Sequence, residues 1–281
     1  MCLFISCLLH AQGIDSLPPA KNTSSSSAFV TFDPLPQLKV IPVFTADARS
    51  HRLQLLKDLN SAGYVGSLGG QFPIVNINAL GKTLQFGIAG TVYTTLNRYV
   101  GRGRVVNVDY FVDLLFDLEL TQRWKLRGGF GHTSQHLSDD AIETGLTARN
   151  YVKDYMQLQT VHQLIKNRLL VYGGLYYFHN FKLTNNNLPE NLSHKVMIQA
   201  GFEADVVKLT KATSFYIGAD IKLRQEFDFG NTHSLQAGFK LSGPTQRKLR
   251  FAYNYLGGYE ERGQFYNTHI SLNTVGLYFD F

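Results

Sequence analysis

The chain has 281 residues, of which 44% are hydrophobic and 17% charged, with a formal net charge of +6. No stretch approaches the roughly 18 consecutive apolar residues of a membrane-crossing helix, and the positive charge is spread out, with no basic cluster of the kind that grips nucleic acid. Gly 25, Phe 20 and Tyr 15 against only three Met fit an all-β protein with aromatic girdles.

Residues 1–11 (MCLFISCLLHA) have the apolar core and small final residue of a secretory signal peptide. The positive leading region is missing, so the true start is expected further upstream. Cys2 and Cys7 both lie inside this leader. A lipid anchor at Cys7 is disfavoured by the short apolar stretch before it. The mature chain then has no cysteine, which excludes disulfides and thiol chemistry and suits a Gram-negative envelope. Residues 12–37, rich in Ser, Pro and Asn, read as a periplasmic linker.

From residue 38 onward the chain reads as strands of about 10–16 residues separated by turns. The expected strands are 63–78, 83–97, 105–120, 124–136, 149–164, 168–181, 194–207, 213–227, 232–242, 248–258 and 266–281, with one more between residues 38 and 61. The clearest is 105–120, where Val106, Val108, Tyr110, Val112, Leu114, Phe116, Leu118 and Leu120 form one apolar face. Asn107, Asp109, Asp113, Asp117 and Glu119 lie opposite. Four carboxylates on one strand face exclude a dry sandwich core but suit a polar lumen. Lys125, Arg127, Arg149 and Lys153 have the parity to answer them. The expected turns alternate between short ones (80–82, 121–123, 165–167, 209–212, 243–247) and longer ones (137–148, 184–193). Short periplasmic turns and longer external loops define an up-and-down transmembrane antiparallel β-barrel of about 12 strands over residues 38–281. The last strand alternates and ends on Phe281, which resembles the signal read by the barrel-assembly machinery.

The run Trp124–His136 breaks the pattern on one side. Trp124, Leu126 and Phe130 mark its lipid face, and His132, Ser134 and His136 share that parity. Polar side chains against lipid are costly unless partnered, so this patch is the candidate site. A serine hydroxyl needs a base to become a nucleophile, and an imidazole needs a third group to orient it. Two residues apart on a strand, His132 and Ser134 are about 7 Å apart at Cα. The returning strand carries Asn150 and Asp154 on the same face, and folding the hairpin brings one of them beside His132. The expected roles are Ser134 as nucleophile, His132 as base, and Asn150 or Asp154 as orienter. The oxyanion donor is expected to be a backbone N–H near Gly131 or Ser134, or a bound cation. His136 with Asp139 and Asp140 reads either as a solvated strand end or as a Ca²⁺ or Mg²⁺ site with hard oxygen ligands.

His132-Thr133-Ser134 resembles the H-x-S of outer-membrane phospholipase A, a twelve-stranded barrel with a His–Ser–Asn triad on its lipid face. It also resembles the H-x-S of the lipid A deacylase barrels, whose third member is Glu. By residue type these resemblances imply Asn150 and Asp154, respectively, as third members. The loop between motif and partner is longer here, and Gln135-His136 stands where the phospholipase has Asn-Gly. Over most of residues 38–181 the chain more closely resembles an uncharacterised bacterial outer-membrane barrel family, a domain of unknown function. Its hallmark is similar to H-x-S-x-H-L-x-D-[DE], here His132, Ser134, His136, Leu137, Asp139 and Asp140. That resemblance implies a fold and a cell outer-membrane location but no reaction.

The expected function is a serine-dependent lipid acyl hydrolase acting on phospholipid or lipopolysaccharide. Its site would lie on the lipid side near the outer leaflet, with Ca²⁺ as the candidate cofactor and a homodimer as the candidate assembly. The alternative is a non-enzymatic structural, lipid-binding or narrow-channel barrel.

Overall fold

The structure, a computed structural model, describes residues 30–99, 102–146, 149–185, 188–243, 245–262 and 265–281. The expected leader and the linker up to residue 29 lie outside the described residues. The strands are β1 Val30–Pro34, β2 Leu53–Asp58, β3 Tyr64–Ala79, β4 Lys82–Tyr99, β5 Arg102–Glu119, β6 Trp124–Leu137, β7 Arg149–Ile165, β8 Leu169–Asn185, β9 Leu188–Asn191, β10 Lys195–Lys208, β11 Thr213–Arg224, β12 Gly230–Ser242, β13 Lys248–Tyr259 and β14 His269–Asp280. A short helix, α1 (Asp139–Glu143), follows β6, and a 3-10 turn at Gln225–Phe227 follows β11.

Twelve of these strands close into one antiparallel barrel. β3 pairs with β4 on one side and β2 on the other, and β2 pairs with β14, so the path returns on itself. β2 is the extra strand expected between residues 38 and 61. β1, at the end of the stretch read as a linker, pairs with residues 75–79 of β3, and β9 pairs only with β8. Between the pairings of β1 and β2 on β3, the Phe281 ring covers Gly70, where a Cβ would come within 2.6 Å of it. That ring also lies 6.0 Å from Phe72, so the C-terminal aromatic helps seal the seam.

Alternation decides which side each residue takes. On β5, Tyr110, Val112, Leu114 and Phe116 are between 40% and 51% exposed on the outside, while Asp109, Asp113 and Asp117 are buried inside. The links at one end are short: 80–81, 120–123, 166–168, 209–212 and 243–247. The first is a two-residue turn with Leu80 and Gly81 both at positive φ (52° and 70°), the geometry that matches strand twist in a tight hairpin.

The lumen is filled by the chain itself. Residues 39–52 precede β2 and run inside the barrel, nearly all buried. Having no sheet partners, their backbone groups are met by wall side chains, as buried polar groups require. Gln85 accepts from Val40 N at 3.0 Å and donates to Leu38 O at 2.8 Å. Lys125 donates to Val40 O at 2.6 Å and Tyr93 to Ser50 O at 2.5 Å. Arg52 donates to Phe44 O, Thr45 O and Asp47 O, fixing the plug's bend. Phe44 stacks on Tyr172 with centroids 3.9 Å apart.

The wall carboxylates find partners in three ways. Asp117 takes the expected cross-strand partner, Arg127, in a bidentate pair with both bonds at 2.7 Å. Asp113 is held by the plug's His51 at 2.9 Å and by the Tyr155 hydroxyl at 2.7 Å. Asp109 accepts from Asn107 at 2.9 Å. Lys153 does not turn to β5; it lies 3.5 Å from Glu226 and 4.1 Å above the Phe181 ring. The Arg149 side chain lies outside the described residues. At the centre, Lys222 (1% exposed) reaches Asp47 of the plug at 2.6 Å, Glu261 at 2.8 Å and Asp220 at 3.2 Å.

Two substitutions test this interior. Lys222→Met leaves three buried carboxylates without their shared cation, and breaking a buried pair costs about 3–5 kcal/mol. The expected outcome is a clear fall in the midpoint of urea or thermal unfolding in detergent. At Gly131 a Cβ would come within 2.1 Å of Tyr155 and 2.2 Å of Asp113, because the Tyr155–Asp113 bond passes over this glycine. Gly131→Ala is expected to destabilise the barrel by about 1–3 kcal/mol through overpacking, read by the same unfolding curves.

Candidate active site on the lipid face

β6 alternates as expected: Gly129, Gly131, Thr133, Gln135 and Leu137 are buried, and Phe130, His132 and His136 are exposed on the outside, with Ser134 half-buried among them. β7 returns antiparallel, and its register sets His132 opposite Asp154 and Ser134 opposite Val152. On the other side of β6, Val112, Tyr110 and Val108 stand opposite His132, Ser134 and His136. The polar groups are therefore framed by apolar and aromatic side chains.

Of the two expected orienters, Asp154 meets the histidine. His132 Nδ1 lies 2.6 Å from Asp154 Oδ1, with the two side chains 51% and 29% exposed. With its proton on Nδ1 the ring donates to the carboxylate, and Nε2 makes no hydrogen bond among the described residues. Asn150 pairs in the backbone with Thr184 of β8, two residues beyond the partner of Ser134. Its side chain lies outside the described residues.

The carboxylate has a second support absent from the sequence reading. Asn180 Nδ2 donates to Asp154 Oδ2 at 2.5 Å. By simple alternation Asn180 belongs with the inward-facing Tyr176 and Phe178. However, the β7–β8 register runs Asp154 with Asn180 and then Tyr155 with Phe178, so His179 is an extra residue. This bulge re-aims the chain: His179 is exposed, Asn180 half-buried and Phe181 fully buried. An Asn two residues after the inward Phe178 reads by period 2 as facing the lumen, and only the bulge reveals its outward placement.

Ser134 is bonded differently from expectation. Its Oγ lies 3.1 Å from His136 Nε2, and no hydrogen bond joins it to His132 among the described residues. The His136 ring meets the Tyr110 ring edge-on with centroids 5.8 Å apart. Ladder pairing on both sides of β6 engages its backbone N–H groups, so the expected oxyanion donors near Gly131 and Ser134 are already occupied.

The expected metal ligands are not gathered. Asp139 and Asp140 occupy the exposed first turn of α1, where Ser138 caps the helix by accepting from Ala141 N. Carboxylates are favourable there because of the unpaired N–H groups at a helix start. His136 Nε2 is taken by Ser134. Among the described residues no three His, Cys, Asp or Glu side chains cluster as a metal-ligand set.

Fold and patch together define a closed twelve-stranded barrel of outer-membrane type, with a cluster of hydroxyl, imidazoles and carboxylate on its outer wall. Residues 36–281 match the family described as "Protein of unknown function (DUF1207)", and the chain belongs to that family. No curated protein matches it. Among solved structures it resembles Escherichia coli outer membrane phospholipase A, with TM-score 0.53, 15% identity, and coverage of 82% of this chain and 89% of that one. An active-site mutant of the same enzyme gives TM-score 0.54, 15% identity, and coverage of 85% and 91%. The calcium-bound dimer of the Salmonella typhi enzyme gives 0.53, 14%, 84% and 94%. At these identities the likeness is one of fold.

The His132–Asp154 contact can be checked without any assay of activity. A short imidazole–carboxylate hydrogen bond deshields its proton, so refolded protein in micelles should show a proton resonance well downfield of the amides. It should vanish in Asp154→Asn and in His132→Gln and persist in Asn150→Ala.

Proposed function

We propose that the protein is a serine-dependent lipid acyl hydrolase of the outer membrane, with Ser134 as nucleophile. The observation that carries this reading is the grouping on one lipid-side wall of Ser134 Oγ with His136 Nε2 and of His132 with Asp154. A hydroxyl beside an imidazole, with a second imidazole braced by a carboxylate, has the parts that acyl transfer needs. A phospholipid or lipopolysaccharide ester reaches such a patch by diffusing within the leaflet, with its acyl chains against Val112, Phe130 and Val152.

The lumen supports the same reading by elimination. Residues 39–52 and their ion pairs occupy the interior, which weighs against the narrow-channel alternative. The likeness to a phospholipase barrel, described as a calcium-bound dimer in one structure, makes Ca²⁺ and self-association conditions to test here. Delivery through the barrel-assembly machinery by way of β14 belongs to the same proposal.

The test is release of fatty acid from phospholipid and from lipopolysaccharide by refolded protein, in Ca²⁺ and in chelator, at protein concentrations spanning any dimerisation. Wild type is expected to turn over one of the two lipids. Ser134→Ala should lower the rate by at least about a thousandfold while its β-sheet circular dichroism stays unchanged. Equal rates in wild type and Ser134→Ala, or no turnover on either lipid, would reject the hydrolase and leave a structural or lipid-binding barrel.

A further inference from the structure

Two imidazoles flank Ser134 on the same strand face, one on each side, and they are bonded in different ways. His136 presents Nε2 to the Ser134 hydroxyl at 3.1 Å and has no carboxylate partner among the described residues. His132 is turned away, with Nδ1 against Asp154 at 2.6 Å and that carboxylate braced by Asn180. A ring that accepts the serine O–H at Nε2 must be unprotonated there. A ring whose Nδ1–H points at a carboxylate is stabilised when charged and then carries an outward Nε2–H.

We propose that the two histidines divide the proton transfers: His136 is the base toward Ser134, and the His132–Asp154 pair is the acid toward the departing lipid alkoxide. This rests on Ser134 being the nucleophile. In acylation, the Ser134 Oγ electron pair bonds to the ester carbonyl carbon and the hydroxyl proton passes to His136 Nε2. The carbon–alkoxide bond then breaks, and the leaving oxygen takes the proton from His132 Nε2. His136 is now charged, His132 neutral and Ser134 acylated. In deacylation, water adds to the carbonyl carbon and gives a proton to His132 Nε2. The bond to Ser134 Oγ breaks, and Oγ recovers its proton from His136. One water is consumed, a fatty acid and a lyso-lipid leave, and both rings return to their starting states.

A single-histidine site has one ring serve both transfers, because that ring contacts both oxygens. Here the ring braced by the carboxylate is not the ring bonded to the serine, so the two duties fall to different side chains. Asn180 and the bulge at His179 serve as positioning elements, since they hold the Asp154 carboxylate toward β6.

The experiment compares a phospholipid with a p-nitrophenyl ester, whose leaving group departs without a proton. Wild type, Ser134→Ala, His132→Gln and His136→Gln are refolded in detergent and matched by circular dichroism. His132→Gln is expected to release one equivalent of nitrophenol in a burst at near wild-type rate and then stall as the acyl-enzyme. Its phospholipid turnover should fall about a hundredfold or more. His136→Gln is expected to lose the burst and both activities by a similar factor. Asn180→Ala should behave as a weaker His132→Gln, with the burst intact and phospholipid turnover reduced.

A full burst and normal turnover in His136→Gln, with the burst lost in His132→Gln, would overturn the division while leaving Ser134 as nucleophile. Equal loss of the burst in both histidine variants would also overturn it, because both rings would then serve the first transfer. Retention of activity in Ser134→Ala would remove the nucleophile, and the division with it.

Discussion

A charge facing the inside of a twelve-stranded barrel has little water to turn to, so it must be answered by another group of the protein. That constraint organises this molecule. The wall carboxylates of β5 need partners, and the wall supplies only some of them, such as Arg127 for Asp117. Asn107 of the same wall serves Asp109, and residues 39–52 bring His51 to Asp113 and Asp47 to Lys222. The plug in turn has no strand partners, and its backbone is held by Gln85, Lys125, Tyr93 and Arg52. Wall and plug are each incomplete alone, and each satisfies buried polar groups of the other.

The same constraint acts with opposite sign outside. On the lipid side the surrounding medium offers no hydrogen bonds, so a polar side chain there needs partners from its own face. His132 has Asp154, Asp154 has Asn180, and Ser134 has His136. In a poorly screened setting such bonds strengthen one another. The partnering that makes the patch tolerable also fixes which ring nitrogen faces the serine and which faces the carboxylate, the arrangement on which the proposed proton transfers rest.

Most of the wall was legible in the amino-acid pattern, because a barrel strand repeats every two residues and lipid enforces the outer face. The register that sets Asp154 against His132 followed from folding one hairpin. What lay beyond the pattern was whatever depends on long-range contacts or on a break in parity. The plug has no periodicity, and its partners are far away in the chain: Asp47 meets Lys222, 175 residues on. Asn180 was hidden because one extra residue, His179, reverses the alternation. The choice of His136 over His132 as the partner of Ser134 is a matter of rotamers on one strand face, where both neighbours stand at the same spacing. Asp139 and Asp140 looked like hard ligands, but their place at the start of α1 explains them as helix-start acids.

The filled interior and the outer patch belong together physically. With residues 39–52 packed against Tyr172, Phe111 and Tyr155, the lumen is closed to a lipid, and the accessible polar cluster of His132, Ser134, His136 and Asp154 lies on the outer wall. There the polar groups sit within strands β6, β7 and β8, and not on loops, with His132, Ser134 and Asp154 in ladders on both sides. Beneath them Gly131 leaves room for the Tyr155–Asp113 bond, so the wall at the site is pinned from inside by the same ion network that holds the plug. A rigid wall holds a hydroxyl, two imidazoles and a carboxylate in fixed relation, so the proposed chemistry would need no segment to order when substrate arrives. Loosening the plug would therefore withdraw His51 from Asp113, and with it one support of the wall directly behind the patch.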